Sequence, residues 1–337
     1  MQPLRFFAAT GDAVARIDLD EKLKGTVDVF LEGSGVQCVA VDTHDPRRIY
    51  AGTHDHGVFR SLDAGENWEF VGEGIPHKRT PSIAISSVHR ENGQSVVYAG
   101  TEPSNLYRTE DDGRTWREFS RLPELPSSPT WSFPPRPWTH HTRWIALHQH
   151  DPQLIFVGIE LGGVMRSRDG GETWEDRKPG SQHDSHAIAT HPVDASRIYE
   201  AAGGGVSAST DRGDTWVPVD DGMDRHYSWG LAVDPENPDL WYVSATFSAR
   251  YAHRNEGDAR AKLYRKDGSK PWEALTVYGV DTLPYMPYAL VALRDRPNTL
   301  VVGMQNGGML FSDDRGDSWR TMDVSLPALL ALSQAAA

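Results

Sequence analysis

Ser61-Leu62-Asp63-Ala64-Gly65-Glu66-Asn67-Trp68 decides how this chain folds, because its spacing keeps returning. The pattern is Ser/Thr-x-Asp-x-Gly-x-Thr/Ser/Asn-Trp. It recurs at Thr109, Asp111, Gly113, Thr115 and Trp116, and again at Ser167, Asp169, Gly171, Thr173 and Trp174. Ser209, Asp211, Gly213, Thr215 and Trp216 repeat it, as do Ser312, Asp314, Gly316, Ser318 and Trp319. A decayed copy ends at Trp272; it keeps Asp267 but has Ser269 and Pro271 where Gly and Thr are expected. Repetition at this scale marks an array of small supersecondary units. Gly tolerates the positive φ of a tight turn. Asp and Ser/Thr side chains hydrogen-bond a turn's own backbone. The Trp opens the next strand and supplies a large packing surface. The carboxylates of the repeat are therefore read as structural.

Each turn sits inside a four-strand unit. A small-residue strand such as Val36 to Val41 comes first, and a second, Arg48-Ile49-Tyr50-Ala51-Gly52, ends in Ala-Gly. A third, Gly57 to Ser61, leads into the turn, and the fourth starts at the Trp. Short alternating runs separated by turn residues are strand signals. First strands are expected near Val39, Ala84, Ile145, Ile188, Leu231 and Leu290. Second strands are expected near Phe6, Tyr50, Val97, Ile155, Ile198, Trp241 and Val301. The missing first strand falls to the tail Leu326-Pro327-Ala328-Leu329-Leu330-Ala331-Leu332, which would pair with the N-terminal unit and remove the exposed edges. The expected fold is all-β: one seven-bladed β-propeller over residues 1–337, with four-stranded antiparallel blades and a ring closed by the N- and C-terminal segments. Insertions interrupt one face at about 120–139 and 247–261.

The repeated turn resembles the Asp-box, or BNR, repeat of sialidases, xyloglucan-active endoglucanases, sortilin-type receptors and the photosystem II assembly propeller. The resemblance covers nearly the whole chain and implies architecture more than activity, because the box is a turn. Seven blades differ from the six of a true sialidase, and that family's N-terminal Arg-Ile-Pro signature is missing.

Composition narrows the partners. The net charge of −13 over 337 residues disfavours nucleic acid and anionic membranes. No run approaches the roughly 20 apolar residues of a membrane span, and the N-terminus lacks the pattern of a signal peptide. A cytoplasmic location is expected. The lone Cys38 lies in an apolar run and reads as a small buried hydrophobe.

The 14 histidines sort unevenly. His44, His89, His148, His150 and His191 fall near the turns that follow first strands. His54, His56, His77, His140, His141, His183, His186, His226 and His253 fall on the opposite, upper face. Aligned on the first-strand centres, His140, His183, His226 and Tyr285 share one rim position. Arg143, His186, Trp229 and Tyr288 share another, three residues deeper. Channel mouths of this kind are concave and commonly hold ligands. The expected catalytic set is His140, Arg143, Glu160, His183, His186 and His226, with a histidine as general acid or base and Arg143 for a substrate anion. Trp138, Trp229, Tyr285, Tyr288, Arg250 and Gln305 are the candidate substrate contacts. Neutral imidazoles of His54, His56, His140, His183 and His226 offer a second use, a divalent transition metal, with Glu102 or Glu160 completing the set. By analogy with the resemblance, the leading expectation is a glycoside hydrolase-like or lyase-like enzyme acting on a carbohydrate-like or anionic small substrate. The alternatives are a metal-dependent enzyme in the same pocket, or a non-catalytic scaffold that binds a protein partner.

Overall fold

The computed structural model describes residues 3–134 and 136–335, and they form seven antiparallel sheets set around a channel. The inner strands are Val36–Val41 in blade 2, Ser82–Glu91 in blade 3 and Thr142–Leu147 in blade 4. Ser185–Thr190, Tyr227–Val233 and Pro287–Ala292 serve blades 5, 6 and 7. Each inner strand packs beside those of the two flanking blades, and the circuit closes on itself. Six sheets have four strands. Blade 4 has three, and its outer edge is reduced to an Arg166–Glu175 bridge. Among the described residues no helix is long and apolar enough to cross a membrane.

Ring closure uses the two ends of the chain, in a register that differs from the expectation. Blade 1 takes its inner strand from Ala331–Ala335, which pairs antiparallel with Leu4–Ala9 from Arg5↔Ala335 to Ala9↔Ala331. The expected closing segment began at Leu326. Leu326 and Leu329 instead plug the core between blades 7 and 1, beside Phe6 and Phe311. Burial claims these leucines, so the strand starts later. The Ser333 hydroxyl then accepts from the Val41 backbone N–H at 3.2 Å, joining blade 1 to blade 2.

The repeated turns show why the pattern has its spacing. In the first, the Ser61 hydroxyl accepts from the Gly65 N–H at 2.9 Å and donates to Asp63 at 2.9 Å. Asp63 also accepts from the Asn67 backbone at 2.9 Å and from its side-chain amide at 2.7 Å. The copies at Asp111, Asp169, Asp211 and Asp314 repeat these bonds. The Thr215 hydroxyl and backbone N–H hold the Asp211 carboxyl down at about 2. These carboxylates are consumed by the turn. Gly65, at φ +88°, meets the preceding blade so closely that a Cβ would lie 2.7 Å from Phe7. Gly213 sits against Phe156 in the same way. The box glycine therefore sets both the turn and the blade-to-blade distance.

The small residues that end the second strands have a similar cause. A Cβ on Gly52 would lie 2.3 Å from the Thr80 carbonyl, and one on Gly100 would lie 2.4 Å from Thr142. The next blade's inner strand passes directly over these positions. Side chains stitch adjacent blades at this level: Ser82 donates to the Thr142 carbonyl and Ser244 to the Pro287 carbonyl, both at 2.7 Å. On the lower face, His44, His148 and His191 each bond a carbonyl of the following blade at 2.7–2.9 Å. Those histidines are blade-to-blade links.

Candidate active site

One irregularity builds the upper mouth of the channel. Every inner strand of blades 4 to 7 slips its pairing by one residue at the same place. The slip falls at Arg143 between Thr142 and Trp144, and at His186 between Ser185 and Ala187. It spans Trp229 and Gly230 before Leu231, and falls at Tyr288 between Pro287 and Ala289. Blade 2 does the same at Gln37. A bulge leaves one residue out of the ladder and re-aims its side chain. Here Gln37, Arg143, Trp229 and Tyr288 line one channel of about 1040 Å³, while the His186 ring is buried behind its wall.

Around that vestibule the structure gathers a compact polar group. Glu160, just past the second strand Ile155–Ile159 of blade 4, accepts from Nε2 of His141 at 3.1 Å, with Nε of Arg143 at 3.9 Å. Burial alone would raise its carboxyl. The His141 hydrogen bond and the charges of His141, His186 and Arg143 overcome that and hold it at about 2. Asp184, in the loop entering blade 5, lies 3.4 Å from Nε2 of His186. The His186 ring is fully buried and donates Nδ1–H to the Ser228 carbonyl at 2.6 Å. Arg143 stacks its guanidinium over Trp229 at 4.7 Å.

An aromatic wall faces this group. The Trp229 ring lies 4.5 Å from His186, 4.8 Å from His253 and 5.3 Å from Tyr288. Hydrogen bonds fix the protons here. The Tyr288 hydroxyl donates to the Ala252 carbonyl at 3.1 Å, so it accepts from Nδ1–H of His253 at 2.7 Å. Nε2 of His253 then accepts the Tyr227 proton at 3.1 Å. Burial, helped by the charge of His186, pushes the His253 imidazole down to about 4, so it is neutral at pH 7. Burial raises both phenols above their ordinary range.

The two insertions supply the rest of the rim. In the first, Trp131 is buried against Leu122 and Leu125, while Phe133 and Pro134 line the mouth. Arg136 makes two 3.1 Å hydrogen bonds to Glu102, which also pairs with Arg79 at 2.7 Å. Phe133 packs edge-on to His141 at 4.4 Å. The second insertion turns through a short helix, Ala249–Ala252, and delivers His253 inward.

Several expected site residues lie elsewhere. His140, His183 and His226 do not share a vestibule, and none lines the channel. His140 packs edge-on to Trp131 at 5.3 Å and accepts from the Ser104 N–H at 3.3 Å. His183 is exposed, and His226, also exposed, lies 3.4 Å from Asp220. These positions precede the last ladder pair, so each follows its own loop instead of the strand. His54 pairs with Asp55 and Arg79, and His56 is exposed. The histidine set expected to hold a metal is thus not assembled. Trp138 is 79% exposed and Arg250 is exposed. Gln305 is buried, bonding Asn255 at 2.7 Å, and Tyr285 packs against the blade 6 core. Of the expected residues, Arg143, Glu160, His186, Trp229 and Tyr288 come together. His141, His253, Asp184 and Tyr227 join them. Asp184 carried a usable signal, because it stands two residues before the bulged His186 on an upper loop.

No protein-family model matches the chain. Over 122 residues, 29% of this chain, it is 31% identical to a xyloglucanase of Acetivibrio thermocellus, and the match takes in 14% of that protein. A GH74 xyloglucanase from Xanthomonas campestris superposes with a TM-score of 0.67 at 17% identity, over 98% of this chain and 52% of that one. YCF48 bound to a D1 peptide superposes with a TM-score of 0.59 at 16% identity, over 85% of this chain and 80% of that one. The chain spans about a seventh of the curated relative's length and about half of the xyloglucanase structure. At these identities the structural likeness is one of fold.

Proposed function

We propose that the protein is a glycoside hydrolase-like or lyase-like enzyme acting on a carbohydrate-like, anionic small substrate at the upper channel mouth. One observation carries this reading. Four consecutive blades bulge at the same register, which puts Arg143, Trp229 and Tyr288 on a mouth that also holds Glu160 and Asp184, with His186 buried just behind them. Aromatic faces suit a sugar ring. Arg143 is 3.9 Å from Glu160, too far for a good hydrogen bond, which leaves donors for a substrate carboxylate. Glu160, ionised at neutral pH, serves as a base or stabilises developing positive charge, not as a proton donor. The partial match to a xyloglucanase agrees with a carbohydrate substrate.

The test offers purified protein a panel of neutral and uronic acid oligosaccharides, following reducing ends and unsaturated products. Turnover of an acidic member is expected. Arg143→Ala and Glu160→Gln should each lower kcat/KM by about a hundredfold or more, with melting temperatures close to wild type. A folded protein that neither turns over nor binds any member of the panel would retire the reading. Exposed Trp138 and Phe247, on the two insertions, favour a protein-binding face as the second reading in that event.

A further inference from the structure

We propose that Glu160, Asp184 and His186 form a divalent metal site at the junction of blades 4 and 5. One ligand atom from each lies within 4.8 Å of the others. An ion about 2.1 Å from each donor keeps its ligands at most about 4.2 Å apart, so the gap closes with shifts of about half an ångström. Carboxylate clusters are common on protein surfaces, and proximity alone would carry little. The decisive atom is Nε2 of His186. Its side chain is fully buried, and this nitrogen has no hydrogen-bond partner. Nδ1–H is committed to the Ser228 carbonyl at 2.6 Å. In the neutral ring that bond fixes the tautomer and leaves the Nε2 lone pair facing the carboxylates, and a bound cation takes the place of a second proton there. A backbone carbonyl behind the ring is the usual outer partner of a metal-ligating histidine.

The carboxylates are positioned as well. His141 holds one Glu160 oxygen at 3.1 Å. Asp184 lies against Gly203, where a Cβ would come within 2.0 Å of its Oδ2 and 2.8 Å of its carboxyl carbon. Gly203 does not need a positive φ, so its lack of a side chain is a matter of room for Asp184. Charge is consistent with an ion. Glu102 is met by Arg79 and Arg136, which leaves the two ligand carboxylates and Arg143 around the mouth. A divalent cation neutralises the carboxylates, and Arg143 remains to meet an anionic ligand. Two oxygen donors and one imidazole suit Mn²⁺, Fe²⁺ or Zn²⁺. The site differs from any histidine-only cluster, because a single imidazole takes part.

The proposal is independent of turnover and is tested without substrate. Tag-free protein stripped with EDTA is titrated with MnCl2 and with ZnCl2 by calorimetry, and bound Mn²⁺ is followed by its EPR spectrum. One ion per chain with micromolar or tighter affinity is expected. Asp184→Asn, at a partly solvated side chain, should weaken binding at least about tenfold while the fold survives, and His186→Gln should do the same. Gly203→Ala should also weaken it, by displacing a ligand it does not replace. No saturable binding to wild type, or binding unchanged in both Asp184→Asn and His186→Gln, would overturn the site. An inactive protein that binds the ion leaves it standing, and an active protein that binds none removes only this proposal.

Discussion

At the residue scale, the informative groups are those whose proton state follows from packing. Glu200, on the second strand of blade 5, is completely buried; its carboxylate accepts from the Gln182 N–H at 2.9 Å, with the Ser185 hydroxyl beside it. Burial pushes its carboxyl up to about 8. The unfolded chain gives up this proton near 4.5, whereas the folded protein keeps it until about 8. Between those values the folded state binds more protons, so stability should fall as pH rises through that window, by up to about 5 kcal/mol. Glu200→Gln should flatten this part of the pH–melting curve. A curve unchanged by the substitution would show that the carboxyl is not held neutral. His253 shows the opposite sign: its depressed imidazole contributes stability that is lost as pH drops from about 6.5 toward about 4.

At the element scale, two small devices are repeated around the ring. The turn glycine combines a positive φ with contact to the preceding blade. Gly213→Ala would place a Cβ 2.7 Å from Phe156 at a φ of +83°. It should lower stability by about 2 kcal/mol or more, read from a denaturant midpoint with unchanged m-value. The inner-strand bulge is the second device. The residue order was enough to align Arg143, His186, Trp229 and Tyr288, because all four stand at one distance from a small-residue centre. The bulge explains why Arg143, Trp229 and Tyr288 face the channel, while the His186 ring is buried behind it. The rim alignment of His140, His183 and His226 was equally regular in sequence but has no shared geometry. Those residues lie on loops, and nothing in the ladder orients them. Periodicity constrains a side chain only while the backbone hydrogen bonds that enforce the period continue.

At the scale of the whole molecule, the ring is closed by a five-residue strand, Ala331–Ala335, against Leu4–Ala9. Blade 1 otherwise has no inner strand, and its edge would lie open. Removing residues 331–335 should lower the melting temperature and broaden the transition. Hydrogen exchange should rise first in Leu4–Ala9 and in Val36–Val41, which Ser333 bridges. A truncated chain with wild-type protection in those strands would show that closure is not what stabilises the ring.

The number of blades, the role of the repeated turn and the use of both chain ends were legible in the residues, because each rests on contacts within a few positions or on a count of strands. The start of the closing strand was not, since it depends on Leu326 and Leu329 finding a cavity between two distant blades. The candidate site was only half legible. Arg143, Glu160, His186, Trp229 and Tyr288 could be named from spacing. That Asp184, His141 and His253 would meet them depends on the angle between neighbouring sheets and on the paths of two insertions, and no local pattern in the chain encodes a distance across the channel.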